Sequence, residues 1–224
     1  MILSAALLDG ATVQGRVEIV SSKDPGLRKH SDFSGVVVWL DPVSGAFPPG
    51  KPRRAQMVQV NKRFTPHILA VTVGTVVDFP NDDPIFHNAF SNYDGQVFDV
   101  GLYPPGSKRS VPLRKEGIVR IFCNIHPHMS AIIVVLRSPY FATSSKSGEF
   151  TIANVPDGVY KLHVFHERAT EQTLNELTRT VEVGEEVALP KIVVSESGYL
   201  PLPHKNKYGQ DYPADSGNYS GVKK

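Results

Sequence analysis

The chain has 224 residues, 41% of them hydrophobic, with 18 glycines and 18 prolines, enough for one large or two small turn-rich β domains and too apolar for a disordered polymer. Lys and Arg number 24 against 22 Asp and Glu, a net charge of +2, and no basic cluster carries interleaved aromatics, so no nucleic-acid partner is expected. The single Cys123 excludes an internal disulfide framework, a Cys-rich zinc site and a four-thiolate cluster.

No run of about 18 apolar residues occurs, so no transmembrane segment is expected. The opening Met1-Ile-Leu-Ser-Ala-Ala-Leu-Leu8 is apolar but lacks a positive n-region and is followed by Asp9, which makes it a poor signal peptide. Short β-type runs follow: Thr12 to Val20, Gly35 to Leu40, Met57 to Val60, Ile68 to Val73, Val76 to Phe79, Ile118 to Phe122 and Ala131 to Leu136. Turn formers separate them, among them Asp24-Pro25-Gly26, Pro48-Pro49-Gly50, Asp82-Asp83-Pro84 and Pro104-Pro105-Gly106. The best helical candidate, Glu167 to Leu177, is polar and weak. The pattern predicts an all-β protein, sandwich or barrel.

A second unit starts near Ser138-Pro139. Phe150 to Val164 alternates apolar and polar residues around Pro156-Asp157-Gly158, which predicts a hairpin, and Thr180 to Gly184 and Val187 to Val194 add strands. From Glu196 onward aliphatic residues nearly vanish, so the end of the chain is expected to be a flexible tail whose Tyr199, Tyr208, Tyr212 and Tyr219 could dock a partner. The expected segments are therefore a β extension over 1–64, a principal domain over 65–137, an accessory β unit over 138–195 and the tail over 196–224.

The stretch that carries chemistry is Ile118-Val-Arg-Ile-Phe-Cys-Asn-Ile-His-Pro-His-Met129. A Val/Ile-rich strand delivers Cys123 at its end, and a tight loop presents His126 and Met129. A thiolate, an imidazole and a thioether this close form a soft donor set that favours copper over hard ions. The bland alternative is a buried thiol, a His-Pro turn and a core Met. A trigonal copper site needs one more imidazole, and His87, just beyond the strand Val76 to Phe79, is the candidate. Asn88 is expected to hydrogen-bond across the two ligand loops, and Phe79, Phe86, Phe90 and Phe122 to keep water away. His30 and His67 read as surface residues, and His163, His166 and Glu167 as a solvated strand end.

These segments resemble a cupredoxin, the family of plastocyanin, pseudoazurin and amicyanin, from about Ile68 to Leu136. Val71-Thr-Val-Gly-Thr-Val-Val-Asp-Phe-Pro-Asn81 is similar to the strand and turn before the first ligand, His87-Asn88 to the first-ligand motif, and Cys123-x2-His126-x2-Met129 to the ligand loop. The resemblance implies a Greek-key β-sandwich holding one copper per chain, with His87, Cys123 and His126 as strong ligands and Met129 as the axial one. His128, beside Met129, is an alternative ligand or an electron-exit residue. Gly148-Glu-Phe150, Pro156-Asp-Gly158 and Tyr160-Lys-Leu162 resemble a transthyretin-like, carboxypeptidase-regulatory β unit, which implies an accessory module; that fold's opening strands resemble Gly15-Arg-Val17 and Val36 to Leu40, so the N-terminal region is expected to complete it.

The function implied is one-electron transport between redox proteins, such as a cytochrome and an oxidoreductase, without turnover of a substrate, in a periplasm or outside the cell. The competing readings are a copper enzyme with an open coordination position and a copper-storage or scaffold protein. Against an enzyme, no Ser-His-Asp pattern and no His-Glu-x-x-His motif is visible.

Overall fold

A computed structural model describes residues 10–45, 47, 53–92, 95–201 and 203–212. The apolar start Met1–Leu8, the Pro48-Pro49-Gly50 turn and Tyr219 lie outside the described residues. The chain forms two compact units: Met1–Pro48 with Ser138–Leu200, and Pro49–Arg137 with Pro201–Lys224. In place of four consecutive segments, the chain leaves the first unit after Pro48 and re-enters it at Ser138, and the residues from Pro201 onward group with the second.

The first unit opens with β1 (Ala11–Val20), α1 (Pro25–His30) and β2 (Val37–Pro42). The second contains β3 (Arg54–Gln56), β4 (Val58–Val60), β5 (Arg63–Thr65), β6 (Ile68–Thr72), β7 (Val76–Pro80), β8 (Phe90–Ser91), β9 (Phe98–Asp99), β10 (Lys108–Pro112), β11 (Gly117–Phe122) and β12 (Ser130–Leu136). The first is completed by β13 (Phe141–Thr143), β14 (Glu149–Val155), β15 (Gly158–Phe165), α2 (Glu171–Leu177), β16 (Arg179–Val183), β17 (Glu186–Ala188) and β18 (Ile192–Ser195). The fold class is all-β, as the alternation and turn signals predict.

In the first unit one sheet runs β14-β1-β17, with β18 also on β1, and the other runs β13-β2-β15-β16. Val13, Val17 and Ile19 of β1, Val38 and Leu40 of β2, Phe150 and Ile152 of β14, and Tyr160, Leu162 and Val164 of β15 share one core. Each such side chain contributes roughly 1.5–3 kcal/mol on burial. The hairpin expected over Phe150 to Val164 does not form: β14 pairs with β1, while β15 pairs with β2 and β16. Both strands line one core, and Pro156-Asp157 carries the chain from one sheet to the other. The N-terminal strands are thus the pairing partners of this segment. Helix α2 starts at Glu171, later than the expected Glu167, because the Thr170 hydroxyl caps it by accepting from the Thr173 N–H at 3.2 Å. The short helix α1, four residues of which are charged or conformationally special, carries no apolar period and was not expected.

Gly148 sits at φ +84° where a Cβ would overlap the Val17 carbonyl oxygen; its N–H closes the turn before β14 onto the Ser145 carbonyl, and its own carbonyl accepts the Val17 N–H of β1. Gly148→Ala is expected to cost about 1–3 kcal/mol, read as a lower denaturation midpoint; an unchanged midpoint would contradict the strain.

In the second unit the sheets run β6-β12-β11-β8-β9 and β10-β7-β3, with the hairpin β4-β5 beside them. β12 is buried almost throughout, between parallel β6 and antiparallel β11, which explains why it reads as one unbroken apolar run. Met57, Phe79, Tyr103, Ile121 and Ile133 share their core with Cys123 and Met129. Strands β8 and β9 have two residues each and β10 is largely exposed, so none shows a period in the sequence.

Candidate metal centre

Two pairings bring the distant segments together. β11 and β12 run antiparallel, with Phe122 opposite Ser130, so residues 123–129 form the loop at one end of that ladder. Phe122 also pairs with Phe90, which brings the segment preceding β8, and with it His87, to the same end. The loop closes on itself: the Cys123 N–H donates to the Met129 carbonyl and the Met129 N–H to the His126 carbonyl, both at 3.0 Å.

His87 is presented by a loop organised around Asn81. The Asn81 side chain donates to the Ile85 carbonyl at 2.8 Å and accepts from the Asp83 N–H at 3.2 Å. Beyond it, His87 and Tyr103 exchange backbone hydrogen bonds of 3.2 and 2.9 Å, and the Tyr103 hydroxyl donates to the Phe79 carbonyl at 3.0 Å.

The structure gathers His87, Cys123 and His126, with donor atoms all within 4.8 Å of one another. The Nδ1 atoms of His87 and His126 lie 3.8 and 3.5 Å from the Cys123 sulfur. Cys123 and His87 are fully buried, and His126 is 9% exposed. Met129 is buried in the same core. His128 is exposed and stands outside the His87, Cys123 and His126 group.

The donor separations can be tested against a shared ion. Bonds of about 2.0 Å to nitrogen and about 2.3 Å to sulfur, opened to tetrahedral or trigonal angles, place the two donors about 3.5–3.7 Å apart. Both nitrogen–sulfur separations fit a shared copper-sized ion held by soft donors.

Electrostatics prepare the same role. Burial pushes the Cys123 thiol up, against the backbone N–H groups of Ile125, Asn88 and His126 that face its sulfur. Burial lowers His87 despite its carboxylate partner, and burial together with the charge of His87 lowers His126 to about 4. Near neutral pH both imidazoles are therefore unprotonated donors, and a metal must displace the thiol proton.

A buried carboxylate that the sequence reading treated as a turn residue sets the His87 ring. The His87 Nε2–H donates to Asp83 Oδ2 at 2.8 Å, which leaves Nδ1 toward the thiol. Asp83 also accepts the N–H groups of Asn61 and Lys62 at 2.6 and 2.8 Å. These two residues have φ +55° and form the two-residue turn between β4 and β5, the geometry that hairpin twist favours. Burial tends to raise the Asp83 carboxyl, but the Lys62 N–H, the His87 ring and the Asn61 N–H together hold it below the usual range.

Other expectations are corrected. The Asn88 side chain donates to Asp99 Oδ1 at 2.8 Å, and it is the Asn88 backbone N–H that reaches toward Cys123. Phe79, Phe90 and Phe122 are buried, but Phe86 is 52% exposed and does not shield the site. In the first unit His166 is buried and bonds Glu196 at 2.8 Å; Arg168 joins Glu196 and Asp24 at 2.8 and 3.0 Å. His163 stacks on Trp39 with centroids 5.0 Å apart. Neither histidine is a solvated strand end.

A pH dependence follows for the metal-free protein. An unfolded His126 titrates near 6.5 and the folded one near 4, so between these values the unfolded chain binds more protons. Stability is then expected to fall as pH drops from 6.5 toward 4, by about 3 kcal/mol from His126, with His87 and His166 acting in the same direction. Urea unfolding at pH 7 and pH 4.5 checks this; equal stabilities would contradict it.

No protein-family model matches the chain. The methylamine utilization protein MauL of Methylorubrum extorquens is 37% identical over 60 residues, 26% of this chain and 53% of that protein, so the chain spans about half the length of this curated relative. Among solved structures, a purple cupredoxin from Nitrosopumilus maritimus is 26% identical, with 37% of this chain and 99% of that one covered and a TM-score of 0.34. A copper-containing nitrite reductase from Thermus scotoductus is 24% identical over 54% of this chain and 28% of that one, with a TM-score of 0.36. An oxidized amicyanin variant is 16% identical over 44% of this chain and 99% of that one, with a TM-score of 0.35.

Proposed function

We propose that this chain is a mononuclear copper protein that carries single electrons between redox proteins. The observation that carries the reading is the buried thiol flanked by two imidazole Nδ1 atoms at 3.5 and 3.8 Å. His87, Cys123 and His126 are the strong ligands and Met129 the fourth donor, one copper per chain. Copper bound there supplies a one-electron couple.

The protein's own part is to keep the donors where they are in both oxidation states. His87 is held by Asp83 and by the two backbone bonds to Tyr103. The Cys123–Met129 loop is closed by its own backbone bonds. Phe79, Phe90 and Phe122 exclude water, and donors that barely move keep the transfer barrier low. His126 is the least buried of the three, so its side of the site is the closest approach for a partner such as a cytochrome or an oxidoreductase.

Among the described residues no helix is long and apolar enough to cross a membrane; the reading places the protein in a periplasm or outside the cell. The first unit is read as an accessory module of transthyretin-like type.

The test is stopped-flow mixing of the copper-loaded, ascorbate-reduced protein with ferricytochrome c. The reading predicts reoxidation with the copper retained. Release of the copper on reduction, or no exchange at all, would favour storage instead.

A further inference from the structure

We infer that residues 203–212 are a brace that fastens the two ligand-bearing loops to each other, with Tyr212 and His204 as positioning residues for the metal site. The composition of this stretch suggested a flexible tail. Instead it folds around buried Asn206, whose Oδ1 accepts the N–H groups of Tyr208 and Gln210 at 2.9 and 3.0 Å and whose N–H donates to the Gln210 carbonyl at 2.9 Å.

From that turn three contacts reach the loop after β11. The Tyr212 hydroxyl donates to the carbonyl of Cys123 itself at 2.8 Å. The His204 Nε2–H donates to the Pro127 carbonyl at 2.7 Å, while its ring stacks on Phe122 with centroids 4.1 Å apart. The Lys207 N–H donates to Asn124 Oδ1 at 3.0 Å. These contacts grip residues before, at and after Cys123, in addition to the loop's own closing bonds.

A fourth contact leads to the other loop indirectly, through Asp99 of β9. Lys207 Nζ pairs with Asp99 at 2.7 Å, and Asp99 accepts the Asn88 side chain at 2.8 Å. Asn88 follows His87 and turns its backbone N–H toward the Cys123 sulfur. One short segment thus ties the carrier of the thiol to the carrier of the first imidazole, which preorganises the donors before a metal arrives. None of its residues belongs to the buried core of the second unit.

The bracing itself is a property of the metal-free chain; its consequence for copper rests on the proposed function. The test is amide hydrogen exchange of the metal-free protein in wild type, Tyr212→Phe, the double variant His204→Ala/Tyr212→Phe, and the control Lys205→Ala, whose side chain pairs with Asp211. The Cys123 and Met129 amides are expected to exchange about tenfold faster in the double variant, with Ile121 and Ile133 unchanged and Lys205→Ala like wild type. Unchanged exchange at Cys123 and Met129 would overturn the brace, and so would a uniform acceleration across the core in Tyr212→Phe, which would mark a general stabilising contact.

With copper bound, metal loss to a chelator is expected to quicken about tenfold in the double variant; equal rates would overturn the positioning role. A wild-type protein without a copper-thiolate absorption band would refute the copper reading and leave the exchange experiment to decide the brace.

Discussion

Cys123→Ser protein is expected to fold and to lose copper binding by more than about 100-fold, since even groups one step removed from a metal ligand are worth about 10–100-fold. Folding should survive because the sulfur faces the backbone N–H groups of Ile125, Asn88 and His126, which a serine oxygen can accept equally well. The hydroxyl stays protonated near neutral pH and is a hard donor, so the two imidazoles are left as an incomplete site for a soft ion. Isothermal titration with Cu(I) held by a competing chelator measures the affinity. Retention within tenfold of wild type would mean that the thiol is a buried core residue and that copper, if bound, sits elsewhere.

Asp83→Asn is expected to raise the copper reduction potential by on the order of 60 mV, the equivalent of a tenfold change in relative affinity for the two oxidation states. The Asp83 carboxylate bonds the His87 Nε2–H at 2.8 Å in a buried site. A negative charge there strengthens imidazole donation and favours the more positive copper state. An asparagine oxygen in the place of Oδ2 can still accept from His87 and from the Lys62 N–H, so the ring stays oriented while the charge disappears and only the Asn61 N–H, which Oδ1 accepts in the wild type, loses its acceptor. Protein-film voltammetry reads the shift. A potential that falls, or does not move, would remove the carboxylate from any tuning role.

The strands were legible because alternation, as in β1, and short apolar runs bounded by turn formers, as in β7, β11 and β12, need only local information: all four lie within a residue or two of where the pattern puts them. Their partners were not. Phe150 to Val164 has the alternation of a hairpin, yet each half takes its partner from residues 11–42, a choice set by which arrangement buries both inward faces.

The same divide runs through the site. Cys123, His126 and Met129 share one loop, so their spacing shows in the chain, and His87 could be found as an isolated imidazole next to a β run. Asp83 lies in Asp82-Asp83-Pro84, where two carboxylates before a proline are indistinguishable from any turn. The order of the segment 203–212 is hidden for a related reason. Composition says that 203–212 cannot build a core of its own, which is so, but a segment with few aliphatic residues can still order itself by donating to carbonyls and carboxylates another part of the fold leaves open, as Tyr212, His204 and Lys207 do.

The central claim is that His87, Cys123 and His126 hold one copper through the thiolate. The most direct measurement is a stoichiometric Cu(II) titration followed by visible absorption and electron paramagnetic resonance. The account predicts an intense thiolate-to-copper band that saturates at one equivalent, with a narrow hyperfine splitting. A colourless protein, or an ordinary tetragonal Cu(II) signal, would contradict it.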